Sequence, residues 1–305
     1  MADRRTTPNL AGVLCALAGG VLWGFSGSCA QLVFSAYGID PLWMVATRIS
    51  LAGVAMMLLA LVTRRRRLLE CVRTPRNVVR IVAFALFGLA FTQFTYLMAI
   101  NHSNAGTATV LEYIGPVLVV LVVCVRDGRA PRTREIIALV CVVAGTFFLA
   151  THGNPGQLVL TPEALFWGLA SAVSMVFYTL IPEPLLARYD NMSVLAWAML
   201  VGGVVMAAWQ QPWAHVPAMD AAGWVALIVG LTLLGTVCAF LLYFNAIRLA
   251  GPARTSMLAS IEVVSATVFS VAWLGTAFGL MDLVGLLFIM ATVFLLARPT
   301  GMQDR

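Results

Sequence analysis

Long apolar runs, separated by short polar segments, recur along the whole chain. Ten of these runs have the length that a helix needs to cross the hydrocarbon core of a bilayer, roughly 17–25 residues. They predict spanning helices over 11–34, 41–62, 79–100, 104–125, 134–151, 163–187, 192–209, 222–247, 252–274 and 278–297. The connecting segments are too short for a soluble domain. The pattern therefore predicts an all-α polytopic membrane protein.

The composition excludes a soluble globular protein. Hydrophobic residues make up 61% of the 305 residues, charged residues only 10%, and the mean hydropathy is +0.93. Soluble domains carry about 25% charged residues. A chain this apolar is covered by membrane lipid over most of its surface.

The distribution of arginine predicts the orientation of the chain. All 19 basic residues are arginine, and Arg48 alone lies inside a predicted span. The others lie on the side of the two termini, whereas the loops 35–40, 101–103, 152–162, 210–221 and 275–277 contain none. Arginine-rich short loops stay in the cytoplasm, so both termini are predicted to be cytoplasmic. The run Arg64 to Arg67 suits anionic lipid headgroups, and the scatter of basic residues argues against a nucleic-acid partner.

Three stretches of the first half recur in order in the second half. "YLMAI" (96–100) is matched by "YFNAI" (243–247), "LAGVAMM" (51–57) by "VGGVVMA" (201–207), and "LAGGVLWGF" (17–25) by "LASAVSMVF" (169–177). The matches predict two five-helix repeats, 1–151 and 152–305. Because five crossings are an odd number, the second repeat is predicted to be inverted. Inverted repeats are typical of transporters that bind substrate near the membrane midplane.

The chain resembles the EamA-type drug/metabolite transporter superfamily. The resemblance rests on "LWGFSGSCAQ" in the first span, on "LEYIGPVLVV" opposite "LASIEVVSAT", and on the two five-helix halves. "LEYIGP" is similar to exporters of threonine and homoserine, and exporters of aromatic amino acids and of paraquat are the other near groups. The family often has proline after the glutamate of the second motif, but here Val263 follows Glu262, so no proline kink is predicted there.

The resemblance implies a multi-pass transporter of the bacterial cytoplasmic (inner) membrane. It implies export of small metabolites, amino acids in the first place, by alternating access, with export of cationic drugs or dyes such as paraquat as the alternative. It implies no cofactor, and protons are a candidate coupling ion.

Three charged residues lie inside predicted spans: Arg48, Glu112 and Glu262. An unpaired charge there costs roughly 3 kcal/mol or more, so it is paired or functional. Arg48 and Glu112 both lie about 10–12 Å from the predicted outer surface, at 1.5 Å per residue. One hypothesis is a structural ion pair between them. The other is a cavity in which Glu112 binds a substrate ammonium group and Arg48 binds its carboxylate.

Aromatic residues complete the predicted substrate site. The full set is Trp23, Arg48, Tyr96, Glu112, Tyr113, Tyr178, Tyr243 and Glu262. Tyr113 and the following Gly115-Pro116 pair are expected to line or bend the path, because proline leaves a backbone carbonyl without its helical partner. Carboxylates among aromatic rings also suit organic cations.

Two other classes of protein remain as alternatives. The segment "GFSG" (24–27) matches the nucleophile motif of an intramembrane serine protease, but a base must lie within reach of Ser26. The three histidines fall in or beside outer loops, and no metal-binding spacing such as HExxH is present. Close helix packing is the preferred interpretation of this segment. A channel is the second alternative, which saturable counterflow separates from a carrier.

Overall fold

The structure is a computed structural model that describes residues 10–154, 160–250, 255 and 258–297. Every regular element in this part of the chain is helical. The helices are α1 (Leu10–Tyr37), α2 (Pro41–Cys71), α3 (Pro75–His102), α4 (Ala105–Arg126), α5 (Thr133–Thr151), α6 (Pro162–Leu186), α7 (Asn191–Gln210), α8 (Ala221–Ala246, continuing to Ala250), α9 (Ile261–Ala272) and α10 (Leu280–Ala297).

Seven helices, α1–α4 and α6–α8, are long and apolar enough to cross a membrane, among the residues described. The apolar parts of α5, α9 and α10 are shorter, at Glu135–Thr151, Ile261–Ala272 and Leu280–Thr292. The predicted all-helical membrane class is therefore confirmed, and the count of ten crossings stays a prediction. Residues 252–254 and 256–257 of the predicted ninth span lie outside the described residues.

Helix α2 continues nine residues beyond the predicted end of its span at 62, as far as Cys71. The non-helical backbone angles of Arg64 (φ −138°, ψ 25°) mark the point where the apolar part ends. The extension holds its place because Leu68 and Cys71 are buried against α7, where Trp197 Nε1 donates to the carbonyl of Leu68 at 2.9 Å. Arg65 to Arg67 therefore lie in a helix, beyond the kink at Arg64, rather than in a loop.

Helices of the first half pack mainly against helices of the second half. The pairs are α1 with α8 and α9, α2 with α7, α3 with α6, α4 with α9, and α5 with α10. Glycine permits the close contact of α2 with α7: a Cβ added at Gly53 would lie 2.6 Å from the carbonyl oxygen of Met199. One added at Gly203 would lie 2.7 Å from the Cα of Ser50. Small residues at such contacts bring two helix backbones together in lipid.

Two π-helical segments lie at matching places in the two halves. One is Phe84–Ala90 in α3 and the other is Ala226–Cys238 in α8. The alignment that pairs Tyr96 with Tyr243 places 84–90 opposite 231–237. Within the second segment the hydroxyl of Thr236 donates to the carbonyl of Leu231, five residues earlier, at 3.0 Å. Segments of π-helix are rare in proteins overall, and those that occur often lie at functional sites.

Candidate functional site

A cavity of about 670 Å³ lies between the two halves. It is lined by six of the eight residues that the sequence predicts for the site, namely Trp23, Glu112, Tyr113, Tyr178, Tyr243 and Glu262. It extends past Pro182 and Leu186 to Asn191, and so reaches the end of the bundle where the arginine-rich segments lie. The two predicted residues that do not line it are Arg48 and Tyr96.

An interruption of α4 brings Glu112 and Tyr113 to the cavity wall. The helix Ala105–Glu112 ends in a turn at Tyr113 (ψ 0°), and the helix resumes at Gly115 with Pro116 in its first turn. Proline has no N–H, so it cannot donate to the carbonyl four residues earlier, which belongs to Glu112. The Gly-Pro pair in the apolar run therefore serves to end one helix and begin the next beside the cavity.

Glu112 is held by a neighbouring helix rather than by a cation. The hydroxyl of Ser171, on α6, donates to Glu112 Oε1 at 3.0 Å. Ser171 is fully buried, whereas Glu112 is half-buried and lines the cavity. One carboxylate oxygen thus has a fixed neutral donor, and the group still faces the space where a ligand fits.

Glu262 lines the same cavity from the start of α9. The hydroxyl of Tyr113 donates to Glu262 Oε2 at 3.0 Å. A turn at Ser260 directly precedes α9, so the chain is irregular here although no proline follows Glu262. Each carboxylate therefore lies beside a break or a start of a helix.

Three aromatic side chains and the side chains of Thr179 and Asn191 supply the other polar groups on the cavity wall. The ring of Trp23 lies 5.0 Å from that of Tyr243, and the ring of Tyr178 lies 5.8 Å from that of Phe84. Within the described part of the chain, Trp23 Nε1 and the hydroxyls of Tyr178 and Tyr243 have no hydrogen-bond partner. The wall thus offers two carboxylates, three neutral donors on aromatic side chains, the polar groups of Thr179 and Asn191, and a large aromatic surface.

Arg48 does not form the predicted ion pair with Glu112. It is 4% exposed, and its guanidinium donates to Thr236 Oγ1 at 2.9 Å, Gln93 Oε1 at 3.0 Å and Ser26 Oγ at 3.5 Å. These acceptors are neutral and lie on α8, α3 and α1, so each nitrogen of the guanidinium bonds to an uncharged group and none to a carboxylate. Arg48 is also absent from the lining of the cavity, so the structure does not support the hypothesis that it binds a substrate carboxylate there.

Tyr96 also lies away from the cavity. Its side chain is 8% exposed, and its hydroxyl bonds to Thr109 Oγ1 on α4 at 2.8 Å. The phenol is therefore satisfied inside the helix packing, and it supports α4 instead of lining the path.

The protease alternative finds no support in the geometry. Ser26 is buried, and its hydroxyl donates to the carbonyl of Leu231 at 3.5 Å and accepts from Arg48. Gly24, in the same motif, faces Ser265 and Ala266 of α9, where an added Cβ would collide. The segment packs helices closely, as the sequence favours.

Membrane-spanning helices that enclose a cavity with two acidic side chains define a membrane transporter of small molecules. The comparison with known families agrees with this class. The chain belongs to the EamA-like transporter family, whose model matches residues 10–151 and 163–298. Membership confirms the predicted resemblance and makes the chain a transporter rather than an enzyme.

Two relatives align over nearly their full lengths. The uncharacterized inner membrane transporter YicL of Salmonella typhimurium is 31% identical and covers 96% of this chain and 97% of its own. A probable terminal-alkyne amino-acid exporter of Streptantibioticus cattleyicolor is 28% identical, over 92% of this chain and 91% of its own. Together with the apolar helices, the relative named an inner membrane transporter supports a multi-pass protein of the inner membrane.

A solved crystal structure shares the fold. It superposes with a TM-score of 0.61 at 19% sequence identity, and the match covers 94% of this chain and 96% of the other. At this identity the likeness concerns the arrangement of helices alone.

Proposed function

We propose that this transporter exports amino acids with apolar or aromatic side chains through the cavity between its two halves. The observation that carries the proposal is the composition of the cavity wall. Glu112 and Glu262 supply negative charge for an ammonium group, and their aromatic neighbours supply surface for an apolar body. The relative that is named a probable amino-acid exporter points to the same class of substrate.

The carboxylate of the substrate binds neutral donors in this proposal, which replaces the earlier hypothesis of a contact with Arg48. Trp23, Tyr178 and Tyr243 line the cavity, and their Nε1 and hydroxyl groups have no partner among the described residues. Arg48 stays outside the cavity lining, where Thr236, Gln93 and Ser26 accept its hydrogen bonds. The site then holds a zwitterion without any basic side chain in the described lining.

Export proceeds by alternating access between two inverted repeats, 1–151 and 152–305. The helix pairs follow the pattern that a two-fold relation would produce. Helix α2 packs on its counterpart α7 and α5 on its counterpart α10, and the pair of α1 with α8 is repeated by the pair of α6 with α3. The paired π-helical segments agree with that relation. Both termini lie in the cytoplasm, following the arginine distribution, and protons remain the candidate coupling ion.

A second candidate function is export of organic cations. It is favoured by one observation, that the described residues of the cavity wall include two carboxylates and no basic side chain. A cation with an aromatic body needs those groups and none of the three neutral donors.

Matched pairs of substrates separate the two functions. Purified protein in liposomes is loaded with phenylalanine or leucine, and counterflow of the labelled compound is compared with that of the amine that lacks the carboxyl group. We expect saturable counterflow of the amino acids and at least tenfold weaker competition by the amines, because three donors are left without a partner. Transport of the amines or of cationic dyes, with none of any amino acid, would establish the second function instead. Linear, unsaturable flux of every solute would indicate a channel.

A further inference from the structure

Gln31 connects three helices at the end of the bundle that lies opposite the cavity. Its Oε1 accepts from the backbone N–H of Ala105 at 2.8 Å and from Ser270 Oγ at 3.0 Å. Its Nε2 donates to Thr276 Oγ1 at 2.8 Å. One side chain of α1 therefore holds the first residue of α4, the last turns of α9 and the segment that follows α9.

The same three helices pack tightly below Gln31. A Cβ added at Gly106 of α4 would lie 3.2 Å from Thr267 of α9. The ring of Phe25 on α1 lies 5.3 Å from Phe269 and 5.7 Å from Trp273. The contact between α1, α4 and α9 thus closes the path between the cavity and this end of the protein.

The opposite end, which the cavity reaches, is held differently. There α4 meets the end of α6 through Arg126 and Glu183, whose charged groups lie 3.0 Å apart with half of each side chain exposed (50% and 55%). Ion pairs with this exposure contribute little to stability. The structure therefore has a closed end, held by Gln31, and an end at which the cavity approaches the surface.

We propose that Gln31 is the latch of the gate at the predicted outer end of the transport path. Export requires that α1, α4 and α9 separate there, and Gln31 must release all three partners when they do. The partners are neutral, and net hydrogen bonds between neutral groups are weak enough to break in each cycle. Loss of the side-chain amide shifts the population toward the state that is open to the outside. The inference rests on the transporter class and on the predicted orientation, and it is independent of the substrate.

A cysteine at position 267 reports the opening of this gate. Thr267 is 8% exposed and faces Gly106 in the contact that must separate. In intact cells, Thr267→Cys is labelled with a membrane-impermeant thiol reagent, and the parent protein with its six native cysteines gives the background. We expect Gln31→Leu to raise the labelling rate of Thr267→Cys roughly tenfold, because three hydrogen bonds of the closed state are lost.

Gln210→Leu is the matched control. Gln210 also makes a hydrogen bond at the predicted outer end, from its Nε2 to Asp40 Oδ2 at 3.0 Å, and this bond joins the end of α7 to the start of α2 rather than to α1, α4 or α9. It should leave labelling of Thr267→Cys unchanged. Ser270→Ala removes only one of the bonds to Gln31 and should give an intermediate rate, which keeps the test valid if Gln31→Leu folds poorly.

Three results would overturn the inference. The first is that Thr267→Cys is labelled at the same rate with and without Gln31→Leu. The second is that Gln210→Leu raises this labelling rate as much as Gln31→Leu does. The third is labelling of Thr267→Cys only from the cytoplasmic side in inverted vesicles. If Gln31 merely stabilises the fold, Gln31→Leu would lower the amount of folded protein and leave the labelling rate of the folded fraction unaltered. These outcomes do not depend on which solute is transported, so they are distinct from a failure of the proposed function.

Discussion

The hydroxyl of Tyr113 donates a hydrogen bond of 3.0 Å to the carboxylate of Glu262. Tyr113 lies where α4 is interrupted, and Glu262 is the second residue of α9. The bond therefore joins the two helix irregularities beside the cavity, one from each half of the chain. Any motion that separates α4 from α9 has to break it, and a substrate ammonium that approaches Glu262 meets this donor.

Replacement of Tyr113 by phenylalanine tests the bond. Hydrogen bonds to charged groups contribute about 1.5–3 kcal/mol, so we expect Tyr113→Phe to reduce transport at low substrate concentration by roughly 10-fold or more. The aromatic ring is kept, and the fold should persist. Initial rates of counterflow in liposomes, with the yield of monodisperse protein as a check of folding, measure the effect.

Tyr96→Phe is the control for the same chemical change. It removes the bond of 2.8 Å to Thr109, which lies in the helix packing and outside the cavity lining. We expect a lower thermal stability with little change in the half-saturating substrate concentration. Equal effects of the two variants on substrate affinity would contradict a special role for the bond between Tyr113 and Glu262.

Much of the cavity lining can be predicted from the sequence, because charged residues are rare in segments that cross lipid. Glu112 and Glu262 stand out in apolar runs where an idle carboxylate is costly, and the Gly115-Pro116 pair indicates the break of α4 beside the first of them. Both carboxylates and four of the five predicted aromatic residues line one cavity. Where each helix ends is less predictable, as the extension of α2 to Cys71 shows.

The partners of polar residues cannot be predicted in the same way. The sequence places Arg48 at the same membrane depth as the carboxylate of Glu112, yet Arg48 donates to Thr236, Gln93 and Ser26. Hydroxyl and amide side chains are common in helices and carry no charge, so nothing in the sequence distinguishes these three from residues that only pack. The π-helical segments and the bonds of Gln31 leave no pattern in the sequence either.

Close contact of α2 with α7 makes a second prediction possible. The Cβ of Gly53→Ala would lie 2.6 Å from the carbonyl oxygen of Met199, and backbone cannot move aside cheaply. Overpacking of this kind costs about 1–3 kcal/mol, so the melting temperature in detergent should fall. Gly279→Ala is the comparison, because its nearest atom is a side-chain oxygen of Asp282 at 3.5 Å. A drop of equal size for both variants would mean that the glycine contact is not the cause.

The orientation of the chain gives a third prediction. Cysteines introduced at Arg65 and Arg129 should react with an impermeant reagent only from the cytoplasmic side, because short arginine-rich segments between spans remain there. Cysteines at Asn154 and Ala218 should react only from outside. Intact cells and inverted vesicles supply the two sides, and the native cysteines, which are buried or half-buried in the structure, define the background. If both sets react from one face, the inverted-repeat proposal fails.

The bonds of Arg48 give the last prediction, which concerns its relation to Glu112. Arg48→Gln removes a buried guanidinium that joins α1, α3 and α8 to α2, and the thermal stability should fall. Arg48→Lys should not restore it, because a compact ammonium group cannot reach three acceptors that are spread around a planar guanidinium.

An ion pair with Glu112 predicts a different result: the double variant Arg48→Gln with Glu112→Gln would regain the stability and transport that each single variant loses. Since Glu112 bonds to Ser171 and not to Arg48, we expect the two losses of stability to add within about 0.5 kcal/mol, and transport to remain absent in the double variant. Melting curves of the four proteins, together with counterflow of the same preparations, decide the matter. Recovery of both stability and transport in the double variant would show that the two residues form a structural pair and that Glu112 does not bind substrate.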